Sequence, residues 1–466
     1  MKPCAGADSR FPSLPPRMGK YRTVPEDTDR MPGGVPYIIG NELAERFSFY
    51  GMKAVLAVFM TQYLMGTNGL PDLMTEAEAT KWIHLFTAAV YLTPLLGGLL
   101  SDLGLGKYMT VLSLSLFYCV GHGTLAFNDT RLGLGWGLAF IALGAGGIKP
   151  CVSAQVGDQF GPRNARLLPR IFGWFYFSIN LGSAAATLLT PWVLSRFGPN
   201  WAFGIPGLLM LLATVVFWMG RWKFAHIPPD PKAFAHDLRR PGVIPNLLKL
   251  VVMYWFFIAA FWALFDQTSS RWVLQAGKMD RHVFGHELLS SQLQAANPFL
   301  VMAFIPLFSY LVYPWVGRVV RVTPLRKIGV GFFVAVPAFA IPAWVEHSIQ
   351  AGGTPGIGWQ VLAYVFITAA EILISITCLE FSYTQAPNRL KSLVMSLYLS
   401  SVFVGNLFVS GLNWMIEKDK LPVDLAGARY YWFFTALIAV TGVAFSLFAS
   451  FYKEKTYIQG TEDAAG

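Results

Sequence analysis

The chain has 466 residues, of which 54% are hydrophobic, 15% aromatic and only 13% charged, at a mean hydropathy of +0.47. That balance excludes an ordinary soluble globular protein of this length and makes a bilayer the expected solvent. The net charge of +10 then describes a face beside anionic lipid and calls for no nucleic acid.

In chain order, residues 1–33 are polar and Pro-rich ("FPSLPPRMGK"). They lack the apolar core of a signal peptide, which predicts a disordered arm and an uncleaved first helix. Apolar runs of about 20 residues, long enough to cross the hydrocarbon core, then recur about twelve times. They lie near 36–65, 80–101, 107–127, 134–157, 170–195, 199–222, 246–276, 290–316, 326–347, 357–383, 391–416 and 427–452. The basic, Pro-rich stretch "RWKFAHIPPDPKAFAHDLRRPGVIPN" interrupts them at 221–246. The expected organisation is therefore an arm at 1–33, a six-helix bundle at 34–222, a linker at 223–246, a second six-helix bundle at 247–453 and a tail at 454–466. With loops assigned alternately, the side holding both termini collects 24 of the 36 Lys and Arg and the other side 8. Basic loops are retained in the cytoplasm, so both termini are expected there, in a multi-pass protein of the plasma or bacterial inner membrane.

The first span carries an unusual load. "NELAERFSFYGMKAVLAVFM" (41–60) places Glu42, Glu45, Arg46 and Lys53 on one helix, and at about 100° per residue all four share one face with Phe49 and Tyr50. A charge at mid-membrane costs at least ~2.5–3.5 kcal/mol, so this stripe cannot face lipid. Pairing of Glu42 and Glu45 with Arg46 in the headgroup zone would explain the first turn, but not Lys53 two turns further in. His84 opens the second span, Lys149 sits in the fourth before Pro150, Asp266 in the seventh, and Glu371 and Glu380 in the tenth. Cationic and anionic groups on helices of both halves suit a site for a zwitterion, a proton relay, or both.

Other patterns carry less. Cys4, Cys119, Cys151 and Cys378 include no C-x-x-C and read as free thiols. "GAGGIKP" follows no strand, so its glycines serve helix packing rather than phosphate binding. His282 and His286 in "RHVFGHELL" lack the Glu of H-E-x-x-H, and no G-x-S-x-G occurs. Neither a metal site nor an enzyme is expected.

The segment "GGLLSDLGLGKY" (97–108), with Asp102 and Lys107, resembles the loop between the second and third helices of the major facilitator superfamily. The fold class this implies is an all-α membrane protein of that superfamily, about twelve helices in two six-helix bundles. "NELAERFSFYG" (41–51) is similar to the E-x-x-E-R-F-x-Y-Y-G motif of the proton-dependent oligopeptide transporters. "GGIKPCVSAQVGDQF" (146–160), "FYFSINLGS" (175–183), "FWALFDQTSSRW" (261–272), "NP" at 297–298, "TPLRKIG" (323–329) and "EILISITCLEFSYTQAPNRLKS" (371–392) extend the likeness.

The resemblance implies a proton-coupled symporter, working as a monomer by alternating access and importing di- and tripeptides, with the proton as coupling ion and no other cofactor. A relative moving another anion or a drug-like solute is the alternative. Proton coupling would fall to Glu42, Glu45, Arg46, His84, Lys149, Asp266 and Glu371, with Lys149 the charge partner of the first-helix acids. Asn180, Asn297 and Glu371 would hold the peptide's amino end, with Ser375 one turn beyond. Lys53 and Lys149 would face its carboxylate, and Tyr50, Tyr91 and Trp262 would line side-chain pockets. Phe49 departs from the family's Tyr, removing a hydroxyl, and Lys53 from its common Arg, exchanging a bidentate fork for a point charge. Residues 221–246 are too short and Pro-rich for the two extra helices of some bacterial members.

The charge asymmetry is directly testable. An Ala235→Cys thiol in the linker should resist an impermeant thiol reagent applied outside sealed cells and react after permeabilisation. Labelling from outside would reverse the orientation.

Overall fold

The structure is a computed structural model in which residues 21–161, 163–164, 167–229, 231, 243–384, 391–422 and 424–452 are described. Among these, twelve long helical segments follow one another. They are α1 (Val35–Gln62), α2 (Glu76–Leu100), α3 (Gly106–Phe127), α4 (Arg131–Gly157), α5 (Leu168–Phe197) and α6 (Pro199–Met219). After the linker come α7 (Val243–Ala276), α8 (Ser290–Val316), α9 (Pro324–Gln350), α10 (residues 358–384), α11 (Lys391–Glu417) and α12 (Ala428–Phe451). Ten stretches among the described residues are apolar and long enough to cross a membrane, and Glu76–Phe127 contains both α2 and α3. The charged stripe of α1 keeps it outside that set of ten, so the expectation of about twelve spans agrees with the helices present.

Local chemistry sets the boundaries. Thr75, Thr130 and Thr323 cap α2, α4 and α9 by accepting from the backbone N–H three residues on. Gly198, at φ +82°, closes α5, and Pro199 opens α6 at once. Among the described residues, π turns interrupt α7, α8 and α10, the last at Ile372–Ile376, immediately after Glu371.

Each half buries its own core. One gathers Phe49, Val55, Phe59, Tyr118, Ile141 and Phe203 of α1–α6, the other Tyr254, Phe332, Phe339, Tyr364 and Phe434 of α7–α12. We call the end where α1 begins and α12 finishes the terminal face, and the opposite end the distal face. Between described residues, the hydrogen bonds and ion pairs joining the two bundles lie in the distal half. Lys81 meets Glu417, Glu76 meets Arg271 and Lys278, and Gln294 donates to the Ala54 carbonyl.

Residues 21–33, expected in a disordered arm, instead lie against the terminal face. Tyr21 stacks on His226 with ring centroids 4.2 Å apart and touches Trp222 and Tyr108, Arg22 donates to the Lys223 carbonyl, and the Asn164 amide donates to the Arg30 carbonyl. Composition predicted disorder because the stretch has too few apolar residues for a core, but one tyrosine on an aromatic platform holds it. Residues 1–20 and 453–466 lie outside the described residues, as do 232–242 of the expected linker; α7 begins at Val243, four residues before the expected bundle.

Small residues let α2 approach α4. A Cβ on Gly97 would collide with the Gly147 backbone, and one on Gly146 with Thr93 Oγ1 and the Val90 carbonyl. Gly98, one residue along, has open space around it. Gly146→Ala should therefore lower stability by about 1–3 kcal/mol, the cost of overpacking, while Gly98→Ala leaves the melting temperature in detergent unchanged. Equal melting of the two variants would contradict this packing.

Candidate functional site

Where the bundles face one another, α1 presents its charged stripe. Arg46 Nε donates to Glu42 Oε1 at 2.6 Å and stands 3.2 Å from Glu45 Oε2, and all three side chains are buried. The helix thus neutralises most of its own charge within one turn, which answers the energetic objection to placing these residues in a span.

Lys149 does not join that group. The expected ion pair with Glu42 or Glu45 is absent; instead the ammonium lies 4.1 Å from the centre of the Phe49 ring and 4.6 Å from that of Tyr91. Two facts account for the difference. Arg46 already occupies the acids, and the ring quadrupoles of α1 and α2 offer a desolvated cation about 2 kcal/mol or more. Phe49 keeps the ring face that this contact uses while lacking the hydroxyl. Lys149, Tyr50 and Tyr91 are intermediate in exposure.

The opposite wall is acidic. Asn297 of α8 donates to Glu371 Oε2 at 2.7 Å and to Thr368 at 3.1 Å, fixing the carboxylate of α10 against α8. Ser375 bonds the Tyr398 hydroxyl of α11 at 2.8 Å. Trp262 is buried with its indole N–H unpartnered, and Asn180 is buried on α5. Tyr50, Tyr91 and Lys149 belong to helices of the first bundle, and Asn297 and Glu371 to helices of the second.

Lys53 is placed differently. Rather than facing open space, its ammonium is 2.8 Å from Asp266 of α7, across the bundle interface. Asp266 also accepts from Asn406 Nδ2 of α11 at 2.7 Å, and Asn406 Oδ1 lies 2.6 Å from His84 Nδ1 of α2. His84 Nε2 is 2.9 Å from the Ser270 hydroxyl. The orientation of Asn406 follows from its donation to a carboxylate. Its oxygen must then face His84, which requires the proton of a neutral His84 on Nδ1. Nε2 is left to accept from Ser270, and it is the nitrogen that would gain a proton. His84 and Asp266 are among the charged or titratable groups that the sequence places within spans. Asn406, Ser270 and the ring-face role of Phe49 are not marked in that way, although a lone amide inside the apolar run "SSVFVGNLFV" is a signal of the same kind as a lone charge.

The remaining candidates carry no site chemistry. His282 and His286 lie on a two-stranded hairpin, His282–Val283 with His286–Glu287, where His282 bonds Asp280 at 2.8 Å and holds that exposed carboxyl below its usual range. Among the described residues no cluster of three or more His, Cys, Asp or Glu could hold a metal. The side chains of Asp102 and Glu380 lie outside the described set.

Against known families, the chain matches the model of the POT family over residues 108–244 and 243–432. Solute carrier family 15 member 2 of Homo sapiens is 37% identical over 398 residues, 74% of this chain and 53% of that protein. Peptide transporter family 1 of Drosophila melanogaster is 35% identical over 369 residues, 68% of this chain and 48% of that protein. The chain therefore spans about half the length of the curated relatives it matches. The solved structure of the POT family transporter PepTSo superposes with a TM-score of 0.82 at 34% identity, covering 90% of this chain and 98% of that one.

The interbundle network generates its own test. Lys53→Ala leaves Asp266 charged and unpaired, at a cost of about 3–5 kcal/mol to the closed distal face, whereas the double variant Lys53→Ala/Asp266→Ala removes both charges and should recover most of it. Spin labels at the distal ends of α2 and α11 would report the separation. A closed face in the single variant would show that the pair does not hold it.

Proposed function

The chain belongs to the POT family, and from that premise we propose that it is a proton-coupled symporter that imports di- and tripeptides by alternating access of its two bundles. The observation that carries this reading is the opposition of Lys149 on one wall and Glu371 with Asn297 on the other. A peptide exposes an ammonium and a carboxylate at a nearly fixed separation while its side chains vary. Opposed charges read the ends, and Tyr50, Tyr91 and Trp262 accommodate what lies between. Glu371 takes the ammonium and Lys149 the carboxylate. Lys53, engaged with Asp266, serves the closure of the distal face instead of the substrate.

Both termini face the cytoplasm, so the distal face is external and the present arrangement is closed to the outside. A single chain supplies both walls and works as a monomer. Coupling requires a group whose protonation changes the preference between states, since a ligand with equal affinity for both shifts nothing. Two places qualify. Protonation of His84 or Asp266 weakens the bridge across the distal face, and protonation of Glu45 frees Arg46 from one of its two carboxylates.

The test is accumulation of labelled dialanine in liposomes under an acid-outside gradient. Lys149→Ala and Glu45→Gln should each abolish accumulation; Glu45→Gln should keep some gradient-free counterflow, and Lys149→Ala less. Glu371→Gln should weaken dipeptide binding more than tenfold, about the 1.5–3 kcal/mol of a charged hydrogen bond, and leave a des-amino analogue nearly unaffected. No accumulation by the unaltered protein would refute peptide symport.

A further inference from the structure

The α1 stripe has a second side. At about 100° per residue, Asn41, Glu45 and Ser48 fall within about 60° of one another and roughly 100° away from the mean of Glu42, Arg46, Phe49 and Lys53. That second side turns into the first bundle rather than into the cavity. All three residues are 1% exposed or less. Ser48 Oγ lies 2.8 Å from His122 Nε2 of α3, and the His122 ring stacks on Tyr118 at 5.1 Å between centroids. Gly207 of α6 packs on the His122 Cβ and so fixes the side from which the ring enters.

This interior is short of hydrogen-bond partners. Glu45 Oε1 and both polar atoms of the Asn41 amide are buried without one, Glu45 Oε2 meets only Arg46 Nε at 3.2 Å, and the Tyr118 hydroxyl and His122 Nδ1 lie near Ser48 and the Phe203 backbone without completing a bond. Groups of this kind, left dry, cost about 1–3 kcal/mol each and more when charged. Native interiors meet such a deficit with ordered water, which bonds about three polar groups at once.

We propose that the space bounded by Asn41, Glu45, Ser48, Tyr118 and His122 is a water-binding site that hydrates the Glu45 carboxylate from inside the first bundle. The site takes no part in holding peptide. Its consequence is that Glu45, closed off from the cavity, meets water from inside the first bundle. It can then release its proton while a solute fills the cavity, a step that rests on the transport reading above. Among described side chains, the charged or titratable groups nearest Glu45 are Glu42, Arg46 and Tyr50 of its own helix with Lys53 two turns on, Lys149 of α4 with Tyr91 of α2 against it, and Tyr118 of α3 with His122 stacked on it. Of these, only Tyr118 and His122 stand on the interior side with Ser48, so removing their polar atoms alters the water and leaves the cavity charges in place.

Infrared titration of the purified protein reads this without any substrate. The carboxyl band of Glu45 is identified by its loss in Glu45→Gln, and its midpoint is followed in Tyr118→Phe and Ser48→Ala, each of which deletes one oxygen. Loss of a water partner disfavours the carboxylate, so each midpoint should rise by about one pH unit, a tenfold change in acid dissociation. The pH profile of dipeptide accumulation should rise with it while counterflow is retained. An unmoved or lowered midpoint in both variants would overturn the proposal. Should Tyr118→Phe fail to fold, Ser48→Ala alone decides. Absence of peptide accumulation by the unaltered protein would refute the symport reading, while the infrared titration would still decide the water site.

Discussion

A lysine and an aspartate, buried where two helix bundles meet, impose the constraint on which the arrangement depends. Lys53 belongs to one bundle and Asp266 to the other, so neither bundle can satisfy its own charge. In a low-dielectric interior an unpaired charge is far more costly than a paired one is favourable. The pair therefore acts less as glue than as a condition: the distal face is closed, or both charges must find water. Asn406 and His84 extend the condition to α11 and α2, since each hydrogen bond fixes the orientation required by the next. A proton arriving anywhere along that chain changes the terms for all its members.

The cavity follows a different rule. Lys149 is matched by two ring faces, which attract a cation without neutralising it. An ammonium held in this way has no carboxylate of its own among the described residues. Glu371 is the counterpart, bonded by the Asn297 amide, which also donates to the Thr368 hydroxyl, rather than by a cation. In the symport cycle proposed above, both ends of the substrate thus meet charges that the protein has positioned without cancelling.

Much of this was legible in the sequence because the bilayer makes charge so expensive. The number of spans, the two bundles and the membership of the α1 stripe follow from where polar residues interrupt apolar runs. What the sequence leaves open is how each buried charge is matched. Lys149 needed some compensation, and carboxylates were expected, but Arg46 sits one turn from Glu42 on the same helix and reaches the acids first. The sequence points Lys53 at substrate because a spacing along one helix says nothing of what a different bundle brings opposite it. Asn406 is inconspicuous in the sequence for a related reason: an uncharged amide adds little to hydropathy, and its importance comes from two partners on other helices. The packing of residues 21–33 was missed because composition averages over a segment, while one ring stacked on His226 is enough to anchor it.

The close seam between α2 and α4 makes these two helices a single lever. Gly97, Gly146 and Gly147 bring the backbones so near that neither helix can slide on the other without a collision. Along α2, Tyr91 touches Lys149 and His84 reaches Asn406 and Ser270, seven residues or about 10 Å apart on the same rod. In the proposed cycle, a shift of the ammonium toward a bound carboxylate changes its contact with the element that carries the histidine of the distal network. The cavity and the closed face are joined by stiffness, with no need for a chain of proton transfers between them.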